Sequence, residues 1–214
     1  MNWHDVAQNK TDWDLLRVGK ITSSSLAKVM ANYGKGFGEP AKKYASEIAL
    51  GQITGLVTAG GYSNGHMDRG HEEEPLAREA YESRYFVAVT NGGFYANGDE
   101  GASPDGLVGE NGMVEIKSAI PSIHYARIDR QSFDTAYKWQ LVGNLRISGR
   151  EWIDFISYCA DFPKEKRIYV YRCHRDGFAE EFRQVDTRLN EFRVLIAAAK
   201  ETILNSNYSV TEIL

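Results

Sequence analysis

The stretch Ser103-Pro104-Asp105-Gly106-Leu107-Val108, followed by Met113-Val114-Glu115-Ile116-Lys117, constrains this chain more than any other. One carboxylate follows a proline, and a second carboxylate and a lysine sit on a short apolar run. Glu115 and Lys117 are two apart, so on a strand both side chains leave from the same face. Gly109-Glu110-Asn111-Gly112 supplies turn chemistry between the halves, which predicts a hairpin that folds Asp105 back toward Glu115. Two acidic oxygen ligands and one amine would then share a small site. Metal-assisted phosphodiester hydrolysis needs that set: a hard-cation site for Mg2+ and a positive group beside the attacking water.

The residue types alone leave a choice. Asp105 before Gly106 is also an ordinary turn pair, and a strand lysine such as Lys117 also serves to guard a sheet edge. Val114 and Ile116 weigh against the second alternative, because a charge inside an apolar run needs a local reason. The short acidic pattern is weak by itself. Three other segments strengthen it: Arg17-Val18-Gly19-Lys20-Ile21-Thr22-Ser23-Ser24, then Arg69-Gly70 through Glu74 with Ala77-Arg78 and Tyr81-Glu82, then Tyr137-Lys138-Trp139-Gln140. In this order, with the hairpin, they resemble the PD-(D/E)xK nucleases of the phage lambda exonuclease type, a family of viral recombination nucleases.

That resemblance implies a role for each matching residue. Asp105, Glu115 and the backbone carbonyl of Ile116 would hold metal, and Glu74 would bind or orient a second metal or its water. Lys117 would act on the attacking water and the scissile phosphate. Gln140 would support that lysine; a second family glutamine, two positions on, is Val142 here, which puts the supporting hydrogen-bond network in doubt. Arg17, Ser24 and Ser103 would bind a terminal 5′-phosphate, a task suited to a guanidinium and hydroxyls. Taken singly, Arg17 also reads as a surface arginine and Ser24 as a helix cap. Met67 would wedge between DNA strands, or be a core methionine. Glu72 and Glu73 read as a solvated acidic run.

The implied activity is a Mg2+-dependent 5′-to-3′ exonuclease on double-stranded DNA, with Mn2+ as a substitute and two ions per site. It would start at 5′-phosphorylated ends and leave 3′ single strands for recombination. The implied assembly is a homotrimer, with a single-strand annealing protein as partner. A restriction- or repair-type endonuclease and a noncatalytic DNA-binding recombination module are the alternatives.

Composition sets bounds. A chain of 214 residues, 43% hydrophobic and 25% charged, suits one nuclease domain over 1–214. No apolar run approaches a membrane span, and the polar first ten residues lack a signal-peptide core, so the expected location is the cytoplasm of a bacterial host. Net charge is −4, yet Lys10 to Lys43 carries seven Lys/Arg against three Asp/Glu, a local +4 that leaves −8 elsewhere. That distribution allows a localised phosphate groove within an acidic protein. Cys159 and Cys173 read as buried thiols, and the five histidines show no metal spacing.

The periodicity predicts an α/β (α+β) fold, a small mixed sheet flanked by helices, in agreement with the restriction-endonuclease-like core that the resemblance implies. Helical patterns cover 23–30, 41–50, 67–84, 134–147 and 179–204, with Trp13 to Val18 as a short helix or turn. Strand patterns cover 85–90, 93–96, the 105–120 hairpin, 152–160 and 167–173. Pro75 is expected to bend or start a helix. Tyr33 to Pro40 is expected to be a mobile loop.

Overall fold

A computed structural model describes residues 1–8, 10–57 and 65–206, with the side chains of 65–68 and 71 left aside. The strands are β1 (Asn2–His4), β2 (Ile21–Thr22), β3 (Val89–Asn91), β4 (Phe94–Asn97), β5 (Glu100–Ala102), β6 (Gly106–Val108), β7 (Gly112–Ser118), β8 (Trp152–Tyr158) and β9 (Ile168–His174). The helices are α1 (Thr11–Arg17), α2 (Leu26–Met30), α3 (Glu39–Thr54), α4 (Gly65–Tyr85), α5 (Pro121–Arg130), α6 (Lys138–Ser148) and α7 (Ala179–Leu204). The fold is mixed α/β, with two small sheets rather than the expected one. A five-stranded sheet runs β3-β6-β7-β8-β9 and a four-stranded sheet runs β1-β4-β5-β2.

The five-stranded sheet is antiparallel except at its centre, where β7 and β8 lie parallel in register from Gly112↔Trp152 to Ser118↔Tyr158. Period-2 alternation along β7 sorts its side chains between two cores. Val114 and Ile116 pack with Ala77, Tyr81, Ile156 and Tyr158 beneath α4. Met113 joins Leu141, Leu145, Phe155 and Phe192 in the larger core, which also gathers α2, α3, α6 and α7. Glu115 and Lys117 share the face of Met113, so they point toward α6.

The hairpin forms as its turn chemistry predicts. Gly106 pairs with Val114 and Val108 with Gly112, and Gly109 takes the left-handed φ of +54° in the connection. Continuing that register sets Asp105 opposite Glu115, and the Asp105 N–H donates to the Val114 carbonyl at 3.1 Å.

Several expectations need correction. The 85–90 strand shrinks to β3 because α4 continues to Tyr85 and Phe86 turns the chain with a φ of +54°. α4 also runs through exposed Pro75 rather than starting there; Ala77 and Tyr81 hold its far end in the core. The 23–30 helix opens as a 3-10 turn, Ser23–Ser25. The expected loop from Tyr33 to Pro40 runs into α3 at Glu39 and is held at Lys35 and Phe37 by buried Arg188 of α7, which donates to the carbonyls of Val29, Ala31 and Lys35 and stacks on Phe37. Cys159 and Cys173 are free and buried, as expected. Among the described residues no helix is long and apolar enough to cross a membrane.

Candidate active site

A cleft of about 180 Å3 opens where the hairpin, α1, the Ser23–Ser25 turn and the start of α6 meet. Arg17, Ser24, Ser103, Asp105, Glu115, Lys117 and Gln140 all line it, together with Gln8, Trp13 and Ser23. Residues spread over more than a hundred positions of sequence thus face one small volume.

Glu115 is the centre of this site and is 0% exposed. Lys117 Nζ donates to its Oε1 at 2.5 Å, Gln140 Nε2 donates to the same oxygen at 2.5 Å, and Asn144 Nδ2 donates to Oε2 at 3.0 Å. A carboxylate offers about four lone-pair sites, so roughly one is left. Burial pushes the Glu115 carboxyl up to about 8 and the charge of Asp105 adds to the rise, against the pull of Lys117 and Asn144. Burial works against the Lys117 ammonium, but Glu115 and Asp105 outweigh it and raise its pKa.

Asp105 is bound into the hairpin by its own side chain, whose Oδ2 accepts from the Ile116 N–H at 2.6 Å. Ile116 therefore contributes backbone to the site while its side chain packs on the α4 face. Arg78 reaches over from α4, donating to the Asp105 carbonyl at 2.6 Å and lying 3.5 Å from Glu74. Glu74 is outside the cleft wall. Burial raises its pKa and Asp105 adds to the effect, with Arg78 opposing. The structure thus brings Glu74 within electrostatic reach of Asp105.

The other wall is built on Trp13. Its ring lies under the Arg17 guanidinium at 4.0 Å, and its Nε1 donates to Ser103 Oγ at 2.7 Å. The Ser103 hydroxyl in turn donates to the Gly93 carbonyl at 2.6 Å, so its one proton is already engaged. Ser24 is exposed to the cleft, with Thr22 Oγ1 at 3.3 Å. The Arg17 guanidinium makes no hydrogen bond or ion pair with any described residue, and burial lowers its pKa. It also borders a neighbouring groove of about 250 Å3 that holds Lys20 and Lys28 with Asp14 and Glu47. The basic segment therefore does line a groove beside the acidic hairpin, although not a purely basic one.

Met67 falls among the residues whose side chains are outside the described set. Glu73 is not merely solvated: its Oε2 accepts from Ser118 Oγ at 2.5 Å, and Arg69 Nε donates to the same serine at 2.9 Å. This corrects the solvated-run expectation, because Ser118 at the end of β7 comes within reach of the first turns of α4. Sequence reasoning missed Asn144 and Trp13. Asn144 lies one helical turn after Gln140, a spacing that puts both on one face of α6 and was open to being read. Trp13 carried no signal beyond its place before Arg17.

Among the described residues no three His, Cys, Asp or Glu side chains gather as a metal cluster. The donor set here is two carboxylates, and an ammonium already sits against one of them. All-oxygen donors suit a hard divalent cation, and the Lys117 contact marks where positive charge is accommodated, so these residues fit such an ion.

The YqaJ-like viral recombinase domain matches residues 12–151, which include every residue of this cleft except Gln8. The chain belongs to the YqaJ-like viral recombinase family. Its fold is similar to that of the alkaline exonuclease LHK-Exo from Laribacter hongkongensis, with a TM-score of 0.76 and 30% identity over 91% of this chain and 98% of that one. The same enzyme in complex with dAMP gives a TM-score of 0.77 and 31% identity over the same shares. A phage-related exonuclease from Haemophilus somnus 129PT shares the fold at 16% identity, with a TM-score of 0.66 over 86% of this chain and 95% of that one. No curated protein matches the chain.

Proposed function

We propose that this YqaJ-like chain is a Mg2+-dependent exonuclease that degrades one strand of duplex DNA from a 5′-phosphorylated end, leaving a 3′ single strand for recombination. One observation carries the reading: Arg17, whose guanidinium stacks on Trp13 but has no hydrogen-bonding or ionic partner among the described residues, faces the same cleft as Asp105, Glu115 and Lys117. A phosphate-gripping group and a hydrolytic group separated by one small cleft suit attack close to a chain end. The likeness to an alkaline exonuclease, crystallised in one case with a mononucleotide, supports the class of reaction.

Asp105 and Glu115 would hold the cation, with the Ile116 carbonyl as a further donor and Glu74 serving a second ion. The ion supplies Lewis acidity and an activated water. Gln140 and Asn144 hold the Glu115 carboxylate in one orientation. Lys117 places a positive charge where charge develops on the phosphate. Arg17 and Ser24 offer the donors for the terminal phosphate, and Ser103 fixes Trp13, which seats Arg17. The whole chain acts as one nuclease domain, since α7 shares a core with α2, α3 and α6. A homotrimer, a single-strand annealing partner and a place in the bacterial cytoplasm complete the proposal.

Digestion of end-labelled linear DNA tests it. Mg2+-dependent release should be faster from 5′-phosphate than from 5′-hydroxyl ends, with covalently closed circles resistant. Equal cutting of circles would turn the reading to an endonuclease, and no cutting with Mg2+ or Mn2+ to a binding module.

A further inference from the structure

Behind Glu115, the hydrogen bonds lead out of the acidic pair and into the turn that carries Ser24. Asn144 is 0% exposed, donates to Glu115 Oε2 and accepts from Ser23 Oγ at 2.5 Å. The Glu115 carboxylate, which can only accept, fixes the direction of the amide. Nδ2 faces the carboxylate, since a reversed amide would set a carbonyl against an anion, and the Ser23 hydroxyl donates to Asn144 Oδ1. The turn and α6 also touch without slack. A methyl group added at Gly143 would lie 2.7 Å from Ser23 Cβ and 3.1 Å from its Cα. The next residue, Ser24, is exposed in the cleft. Two adjacent serines therefore look in two directions, one toward the incoming DNA end and one toward the amide that holds Glu115.

We infer that Ser23 and Asn144 are positioning residues that couple the binding of a phosphorylated DNA end to the affinity of the Asp105–Glu115 pair for a divalent cation. The inference rests on the proposed roles of those carboxylates as ligands and of Ser24 as an end contact. A terminal phosphate held by Ser24 and Arg17 orders the Ser23–Ser25 turn. Ser23 carries that order to the Asn144 amide, and Asn144 fixes Oε2 of Glu115. By linkage, the cation must then favour phosphorylated ends by the same factor.

Calorimetric titration of Ca2+ into the full chain tests this, alone and with a short duplex bearing 5′-phosphate or 5′-hydroxyl ends. Ca2+ takes oxygen sites of this kind in loose geometry, so binding is read without relying on turnover. For the native protein, the phosphate should tighten Ca2+ binding by about 5- to 150-fold relative to hydroxyl. Ser23→Ala, which keeps both carboxylates, Arg17 and Ser24, should bring that ratio close to one. It should also lower kcat on phosphorylated ends more than it changes KM. Asn144→Ala should weaken Ca2+ binding without DNA by about 10- to 100-fold, as loss of a group orienting a metal ligand does. Melting curves establish that both variants are folded, and Ser23→Ala removes only one hydroxyl. An unchanged phosphate ratio in Ser23→Ala, or native Ca2+ affinity in Asn144→Ala, overturns the coupling. Native Ca2+ affinity in Asp105→Ala instead overturns the site assignment beneath it.

Discussion

Glu115 on β7 and Asp154 on β8 are both buried acids on adjacent strands, and they point to opposite faces of the five-stranded sheet. Asp154 is closed off. Arg172 donates to both its oxygens at 2.8 Å, Tyr81 donates to Oδ2 at 2.6 Å, and the guanidinium is covered by Trp152 at 3.7 Å. One acid meets one base in a bidentate fork, so charge and geometry balance locally. Glu115 is left open. Its partners are a lysine shared with a second acid, Asp105, and two neutral amides, and it borders a cleft. A fold builds the first arrangement to join α4 to the sheet. The second sets two acids against one lysine, an imbalance that a proton or a further cation relieves, and such perturbed acids in a cleft are candidates for function.

The comparison breaks most visibly in catalysis. Asp105→Ala and Lys117→Ala should each abolish or nearly abolish Mg2+-supported cleavage, the lysine change costing ~10²-fold or more through lost transition-state stabilisation. Single-turnover rates on a 5′-phosphorylated duplex read this, and a near-native rate in either variant would remove that residue from the mechanism. On the other face the effect should fall on stability. Arg172→Ala leaves buried Asp154 without its half-exposed base, a loss of about 1–3 kcal/mol. For a domain of this size that is on the order of a 5 °C drop in melting temperature. A drop of only a degree or two would mean that Tyr81 alone satisfies the acid.

A comparable effect probes the far wall of the cleft. Arg17→Ala should remove most of the preference for phosphorylated ends, since a charged hydrogen bond is worth about 1.5–3 kcal/mol, or roughly ten- to a hundred-fold. An unchanged rate ratio between phosphate and hydroxyl ends would return Arg17 to an ordinary surface role. The gentlest test is pH. The Glu115 carboxyl rises from 4.5 to about 8 on folding. Between those values the unfolded chain binds fewer protons than the folded one, so metal-free stability should fall as pH rises across that window. Glu115→Gln should flatten the slope, whereas a slope unchanged by Glu115→Gln would belong to other groups.

Much of this was legible in the residues because local rules decide it. The hairpin announced itself through Gly109 to Gly112, and period-2 alternation put Glu115 and Lys117 on one face. The long terminal helix over 179–204 matched its apolar pattern to the residue. The small sheet was legible only at β4, which the 93–96 pattern anticipated. β1, β2 and β5 span two or three residues, too few for any period, and β2 joins β5 only through tertiary packing. α5 escaped although Pro121 stands in its first turn, a start signal that the polar stretch after it obscured. At the site, the acids and the lysine were readable by type, whereas Asn144 was open to reading only through its spacing from Gln140. An asparagine inside a helix has no chemistry of its own until a buried carboxylate and a serine hydroxyl are brought to either side of it.

The most direct test of the difference between the two acids is the cleavage rate of Glu115→Gln beside that of Asp154→Asn. Both are measured on linear 5′-phosphorylated duplex with saturating Mg2+, at a temperature where both are folded. Glu115→Gln should lose ~10²-fold or more, and Asp154→Asn should cut at close to the native rate despite a lower melting temperature. Equal losses in the two folded variants, or native cutting by Glu115→Gln, would contradict the account.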